Sequence, residues 1–294
     1  MKRRSLLQAL ILAAFMCCLA LPAVAQENPG DPLLKTLEKD YPPEEPLLAP
    51  DTTIVNEYRE IAAEPVGAID FVENEAYVLH GNDANTAFKA QKSKPIYPGD
   101  TLVAMPNSRM VVLLKDQSQF TMGAASKLTL EKNLFDPAAG TRDTVLGMVA
   151  GKARFVVTKL SKGSDEDFKV KTPLAVIGVR GSDFVVAFVP QADIPALKQR
   201  SWLDMFNPVS VAHAQTRPSG GGGRSVVVLA GPNTRLSFAG FTGPPITINS
   251  FQVSSARPGG APTPPLNVSP NTAPGVLNRV GPTPSVMSMP PVFE

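Results

Sequence analysis

The sequence predicts an all-β protein, with a single sandwich- or roll-like β-domain flanked by disordered, proline-rich segments. Three observations predict it. Short apolar, β-branched runs recur at intervals of about 8–12 residues with turn signals between them, the pattern of a sandwich or roll. No run with helical period and ordinary helix length falls between residues 65 and 190. The 30 prolines and 22 glycines of the 294-residue chain are far from evenly spread and both ends read as unstructured, leaving a central body rich enough in apolar residues to form a core.

The elements follow in order. Lys2-Arg3-Arg4, an apolar run from Leu6 to Leu21 and the small residues Ala23-Val24-Ala25 make residues 1–25 a secretory signal peptide, with cleavage expected between Ala25 and Gln26. The alternative is an uncleaved membrane anchor, although the run is near the lower limit for a span. Both cysteines, Cys17 and Cys18, lie in this segment, so the exported chain needs no disulfide and has no thiol chemistry. Residues 26–64 read as an acidic, proline-rich linker. Leu33 to Leu37 suits a helical turn and Thr53 to Ala63 a short helix.

The β-domain is expected over 65–190. Strands are predicted at Ala76–Leu79, Thr101–Ala104, Arg109–Leu114, Gln119–Met122, Leu128–Glu131, Val145–Val149, Ala153–Val157 and Phe168–Lys171. Pro98-Gly99 suits a type II turn, in which proline presets φ and glycine takes the positive value. Lys115 to Ser118 reads as a turn and Phe135 to Asp143 as a loop. Residues 191–223 form an insertion that ends in a Gly-rich linker, and 224–256 supply strands returning to the same sheet. From 257 to 294 proline is frequent and charge sparse, which predicts a disordered tail.

The stretch Thr172-Pro173-Leu174-Ala175-Val176-Ile177-Gly178-Val179-Arg180-Gly181-Ser182-Asp183-Phe184 stands out. Two apolar runs flank Gly178 and Gly181, which bracket Arg180, and a tight bend between two strands fits best. The arginine fork suits a carboxylate, with Asp183, Asp116 or Asp100 as the acid, or a ring of carbonyls. The favoured reading of Thr172, Pro173, Gly178, Arg180, Gly181 and Asp183 is scaffolding. The competing reading is a ligand-contacting arginine.

This phrase resembles the signature of the FecR-like periplasmic domain family. Pro98-Gly99-Asp100-Thr101-Leu102, Asn107-Ser108-Arg109, Leu114 to Ser118 and Met122-Gly123 to Leu130 resemble the family's other phrases, in order, over roughly Val66 to Val189. Ser182, Gln117 and Met110 depart from it, standing where Thr, Gly and Ala are usual. The resemblance implies a periplasmic protein-recognition or signal-sensing role. Full-length signalling members place a cytoplasmic segment before the membrane. Here the apolar segment is N-terminal, so a stand-alone exported member is expected.

No chemistry competes strongly with this. The glycines lack phosphate-loop spacing. His80 and His213 are far apart and read as surface residues; with Cys17 and Cys18 removed, no cofactor or metal site is implied. Glu73 with Glu75, and Asp165-Glu166-Asp167, read as solvated turn acids rather than a glycosidase pair. Ser118, Ser126 and Ser182 have no nearby histidine for a triad. The chain is therefore read as a non-enzyme. A net charge of +2 without a single-sign run gives no reason to expect nucleic acid. Partners are expected to be envelope proteins, and no membrane span is expected after cleavage. A glycan or cell-wall polymer is the alternative, weakened by an aromatic content of 6%. Trp202, Met205 and Phe206 in the insertion are a candidate docking patch or a cover for the core. Met287 and Met289 read as tail composition rather than a copper site. The expected location is the periplasm, with the cell surface or medium as alternatives.

Overall fold

The computed structural model describes residues 28–81, 83, 85–160, 167–194 and 223–281. Helix α1 (Asp31–Leu37) is followed by β1 (Thr53–Val55), β2 (Gly67–Glu73), β3 (Ala76–Leu79), β4 (Thr86–Lys89), β5 (Pro95–Ile96), β6 (Thr101–Ala104), β7 (Arg109–Leu114), β8 (Gln119–Met122), β9 (Ser126–Asp136), β10 (Thr141–Ala150), β11 (Lys152–Val156), β12 (Phe168–Lys171), β13 (Ala175–Val179) and β14 (Asp183–Pro190). After the insertion come β15 (Arg224–Ala230), β16 (Arg235–Gly240), β17 (Ile246–Asn249), β18 (Gln252–Ala256), β19 (Leu266–Asn267) and α2 (Ala273–Val280). No described helix is long and apolar enough to cross a membrane.

The strands make two large sheets. One runs β1-β4-β3-β6-β9-β10-β12-β13-β16-β17, the other β19-β18-β15-β14-β11-β8-β7-β2-β5. Pairing is antiparallel except for β1 with β4 and β10 with β12. The main core lies between the sheets. Phe120, Phe155, Phe168, Phe184 and Phe238 are each at most 1% exposed, and Phe155 stacks on Phe184 at 5.1 Å between ring centroids. Aromatic rings in offset contact favour such burial.

Strand β14 has no apolar–polar alternation because both its faces are covered. Phe184, Val186 and Phe188 join the central core, whereas Val185, Ala187 and Val189 pack in a second cluster with Leu33, Leu34 and Leu37 of α1 and Val276 and Leu277 of α2. The opposite sheet has a smaller outer cluster, where Leu47 covers Tyr77, Leu79, Ala87 and Val103.

The ends depart from the sequence expectation. The linker-like stretch from Gly30 to Tyr58 packs on the sheets through Leu33, Leu37, Leu47 and Tyr58. The short helix expected over Thr53 to Ala63 does not form. Thr53, Ile54 and Val55 instead pair with Thr86, Ala87 and Phe88, because β-branched residues beside an open strand gain a ladder. Within the tail expected from Arg257 onward, the described residues 257–281 pack on the body. Val268, Ala273, Val276, Leu277 and Val280 are each at most 2% exposed, so a proline-rich segment is held by packing rather than by its own propensity. The loop expected over Phe135 to Asp143 narrows to four residues, since β9 and β10 extend on either side. After the insertion, β15 pairs with β14 and β16 with β13.

Candidate functional site

The phrase from Thr172 to Phe184 builds a hairpin turn, a strand and a corner. The Thr172 Oγ1 accepts the backbone N–H groups of Ala175 at 2.9 Å and Leu174 at 3.3 Å, and its O–H donates to the Ala175 carbonyl at 2.9 Å. Pro173 lies exposed in that turn, which connects β12 to β13. Gly178 is not part of a bend. It lies inside β13, paired with Lys169 on one side and Ser237 on the other.

The bend falls at Gly181, with φ +59°, and it moves the chain from one sheet to the other, since β13 and β14 belong to different layers. A Cβ there would lie 2.4 Å from the Lys159 Cβ and 2.8 Å from its Cα. Ser182 exchanges backbone hydrogen bonds with Val157 at 2.8 and 3.1 Å. Its hydroxyl donates to the Arg235 carbonyl at 3.3 Å, a contact a threonine hydroxyl can also make.

All three acids that the sequence offers Arg180 have other basic partners. Asp183 takes Arg154 in a fork, Nε to Oδ1 at 2.8 Å and Nη2 to Oδ2 at 2.6 Å. Asp116 accepts Arg142 Nη1 at 2.7 Å, and Asp100 faces His80 Nδ1 at 2.9 Å. The charge of Arg180 is one of the influences that favour the Asp167 carboxylate.

Two buried arginines that the sequence reading missed therefore organise this end. Arg142 on β10 reaches across to the β7–β8 turn, binding Asp116 and Ser118, and also reaches Asp167 at 3.3 Å while its guanidinium lies 5.5 Å over the Phe168 ring. Burial raises the Asp167 carboxyl above its ordinary range, against the pull of Arg142 and Arg180. Arg154 on β11 binds Asp183, the Asn278 side chain at 3.0 Å and the Gly281 carbonyl, so one guanidinium joins the corner to α2. A strand arginine flanked by apolar residues, as in Ala153-Arg154-Phe155, was the available signal.

Lys152 is also buried. Its ammonium binds Asp40 at 2.6 Å and the carbonyls of Leu37 and Lys39 at 3.3 and 3.2 Å, at the C-terminal end of α1 where a cation is favoured. Beside it lies an open cleft of about 370 Å³ lined by Glu38, Asp40, Glu73, Arg109, Lys152 and Arg279. Arg109 faces Glu73 at 3.6 Å and Arg279 faces Glu38 at 3.7 Å, so its charges largely answer one another.

His80 is not a surface histidine. It is 2% exposed and packed among Tyr58, Phe88 and Tyr97. Among the described residues no three His, Cys, Asp or Glu side chains are grouped to hold a metal ion. Glu75 accepts from the Tyr77 hydroxyl, and Ser118 and Ser126 are tied to Asp116 and the Lys152 carbonyl. His213, Trp202, Met205, Phe206, Asp165, Glu166, Met287, Met289 and residues 1–25 lie outside the described residues.

The family model described as FecR protein matches residues 100–195. No curated protein sequence matches the chain. Two crystal structures of a "putative anti-sigma factor" from Parabacteroides distasonis ATCC 8503 are similar, each at 13% identity and a TM-score of 0.37, covering 58% of this chain. The chain spans 61% of the length of those solved chains. Residues 100–195, the part of the chain that matches the FecR protein family model, begin at the Asp100 turn and take in the Arg142 cluster and the Gly181 corner.

Proposed function

We propose that this protein is a non-catalytic, exported recognition module that docks on another protein of the cell envelope, in the periplasm. The FecR-family match supports a signalling-related role. Within its most distinctive phrase, Ser182 is tied to the Arg235 carbonyl and Asp183 to Arg154, contacts that support a scaffolding role and recognition at the surface.

The observation that carries the docking reading is Phe241, 77% exposed at the start of the β16–β17 connection. Pro244 and Pro245 are exposed in the same connection, and β17 ends its sheet, with no further strand beside it among the described residues. An open strand edge next to an exposed aromatic suits capture of an extended segment. Trp202, Met205 and Phe206 are proposed as a second contact. The test is a photo-crosslinking residue at position 241, with one at Lys89 as control, in cells of the native host. A single envelope protein captured at 241 only, and lost on Thr247→Pro in β17, is expected. Equal capture at both positions, or none, refutes docking at this edge.

A further inference from the structure

The segment from Thr52 to Ala63, which includes β1, is a strap along the β4–β3 side of the sheet. It is fastened by the three-residue β1–β4 ladder, by Gln91 Nε2 to the Asn56 carbonyl at 3.1 Å, by Lys94 to Glu60 at 3.2 Å, and by the Tyr58 hydroxyl to the Pro95 carbonyl. Its buried fastening is His80, whose Nε2 meets the Arg59 carbonyl at 2.7 Å. The other ring nitrogen, Nδ1, meets the Asp100 carboxylate at 2.9 Å.

Both ring nitrogens thus face oxygen. A carbonyl only accepts, so Nε2 must carry a proton to hold the strap. A neutral imidazole has one N–H, which cannot serve Arg59 and an ionised Asp100 together. The arrangement is satisfied only when the His80–Asp100 pair holds an extra proton, as imidazolium with carboxylate or as imidazole with carboxylic acid. When that proton leaves, the one remaining N–H goes to the charged acceptor, because a charge-assisted hydrogen bond is roughly twice as strong as a neutral one. The Nε2 lone pair is then set against the Arg59 carbonyl.

We infer that His80 and Asp100 form a proton-dependent latch that holds the 52–63 strap when protonated and loosens it when the shared proton is lost. The other groups facing the ring leave that assignment intact. Tyr58 and Tyr97 both have phenols held above their ordinary range, chiefly by burial, and stay neutral. Glu60 on the strap is solvent-facing and paired with Lys94, and Asp83 beyond β3 is exposed. Burial also raises the Asp100 carboxyl, opposed by its hydrogen bond from His80. A carboxyl raised in the folded state gives its stability at low pH and loses it as pH rises, the same direction as the latch.

The inference does not depend on docking at β17, since no partner enters its test. Hydrogen exchange of the full chain is followed by mass spectrometry at a series of pH values from about 5 to about 9 and corrected for intrinsic rates. Strap amides should exchange at least about tenfold faster at the high end of the series, a change of the size of one hydrogen bond. Asp100→Asn is the deciding variant. Its amide donates to Nδ1 while its oxygen still accepts the Tyr97 N–H, so a neutral His80 is satisfied and strap protection should become independent of pH. The ¹⁵N shifts of the His80 ring, assigned with His213→Gln, should change at the same pH as strap exchange in the wild type, which decides the matter even if Asp100→Asn folds poorly. Strap exchange that does not vary with pH, or that varies at a pH where the His80 ring does not titrate, overturns the latch.

Discussion

Arg154 and Asp183 sit on adjacent strands, β11 and β14, and meet through two parallel hydrogen bonds of 2.8 and 2.6 Å. The same guanidinium binds Asn278 and Gly281, so the first residue of β14 and the end of α2 share one fastening. Arg154→Met should lower stability by about 3 kcal/mol, since it leaves a largely buried carboxylate unpaired. Urea unfolding measures this. Adding Asp183→Asn should restore part of the loss, because the two changes remove one interaction. Strictly additive losses would show that the pair does not act as a unit.

Gly181 carries the corner. Its φ of +59° and the 2.4 Å approach of a Cβ to Lys159 leave no room for a side chain. Gly181→Ala should cost about 2–5 kcal/mol, combining left-handed strain with overpacking. Gly178→Ala is the useful contrast, because Gly178 has ordinary strand pairing. Thermal melts of the two variants should differ by well over the error of the method, and equal losses would refute this assignment of the bend.

Gln117 is a non-glycine residue with φ +64°. Its N–H bonds the Leu114 carbonyl at 3.0 Å and the Leu114 N–H bonds the Ser118 carbonyl at 2.9 Å, a tight turn ending in a left-handed residue. Gln117→Gly should stabilise the protein by about 0.5–1 kcal/mol, the left-handed strain relieved less the added freedom of glycine when unfolded. A fall in denaturation midpoint on this change would refute it.

Leu277 is 1% exposed on α2 and packs with Leu33 and Leu37 of α1 over the outer face of β14 and β15. Leu277→Ala should cost about 2–4 kcal/mol. An unstructured tail would tolerate that change without loss, so guanidinium unfolding separates the two pictures directly.

Much of the fold was readable beforehand. Strands β3, β6, β7, β8 and β12 fall where their apolar runs and turn signals place them, because turn residues mark their ends. The Thr172 turn and the Gly181 corner carry enough local chemistry to be singled out. Strand β2 was not found, since a register shift between Ile69 and Phe71 reverses which side chains face inward and erases the period. His80 was misread because burial of one histidine depends on Tyr58, Phe88 and Asp100, which approach it from other elements.

The sequence by itself determined the class of architecture, the place of the glycine-marked bend and the family resemblance, since all three are written in local spacing and backbone preference. Only the tertiary structure decided which arginine meets which acid, that two proline-rich ends as far as Gly30 and Gly281 belong to the packed body, and that one strap hangs on a buried imidazole. Those outcomes depend on contacts between residues far apart in the chain, such as the 127 positions between Arg154 and Gly281 or the 238 between Asp31 and Ser269, and no local period encodes them.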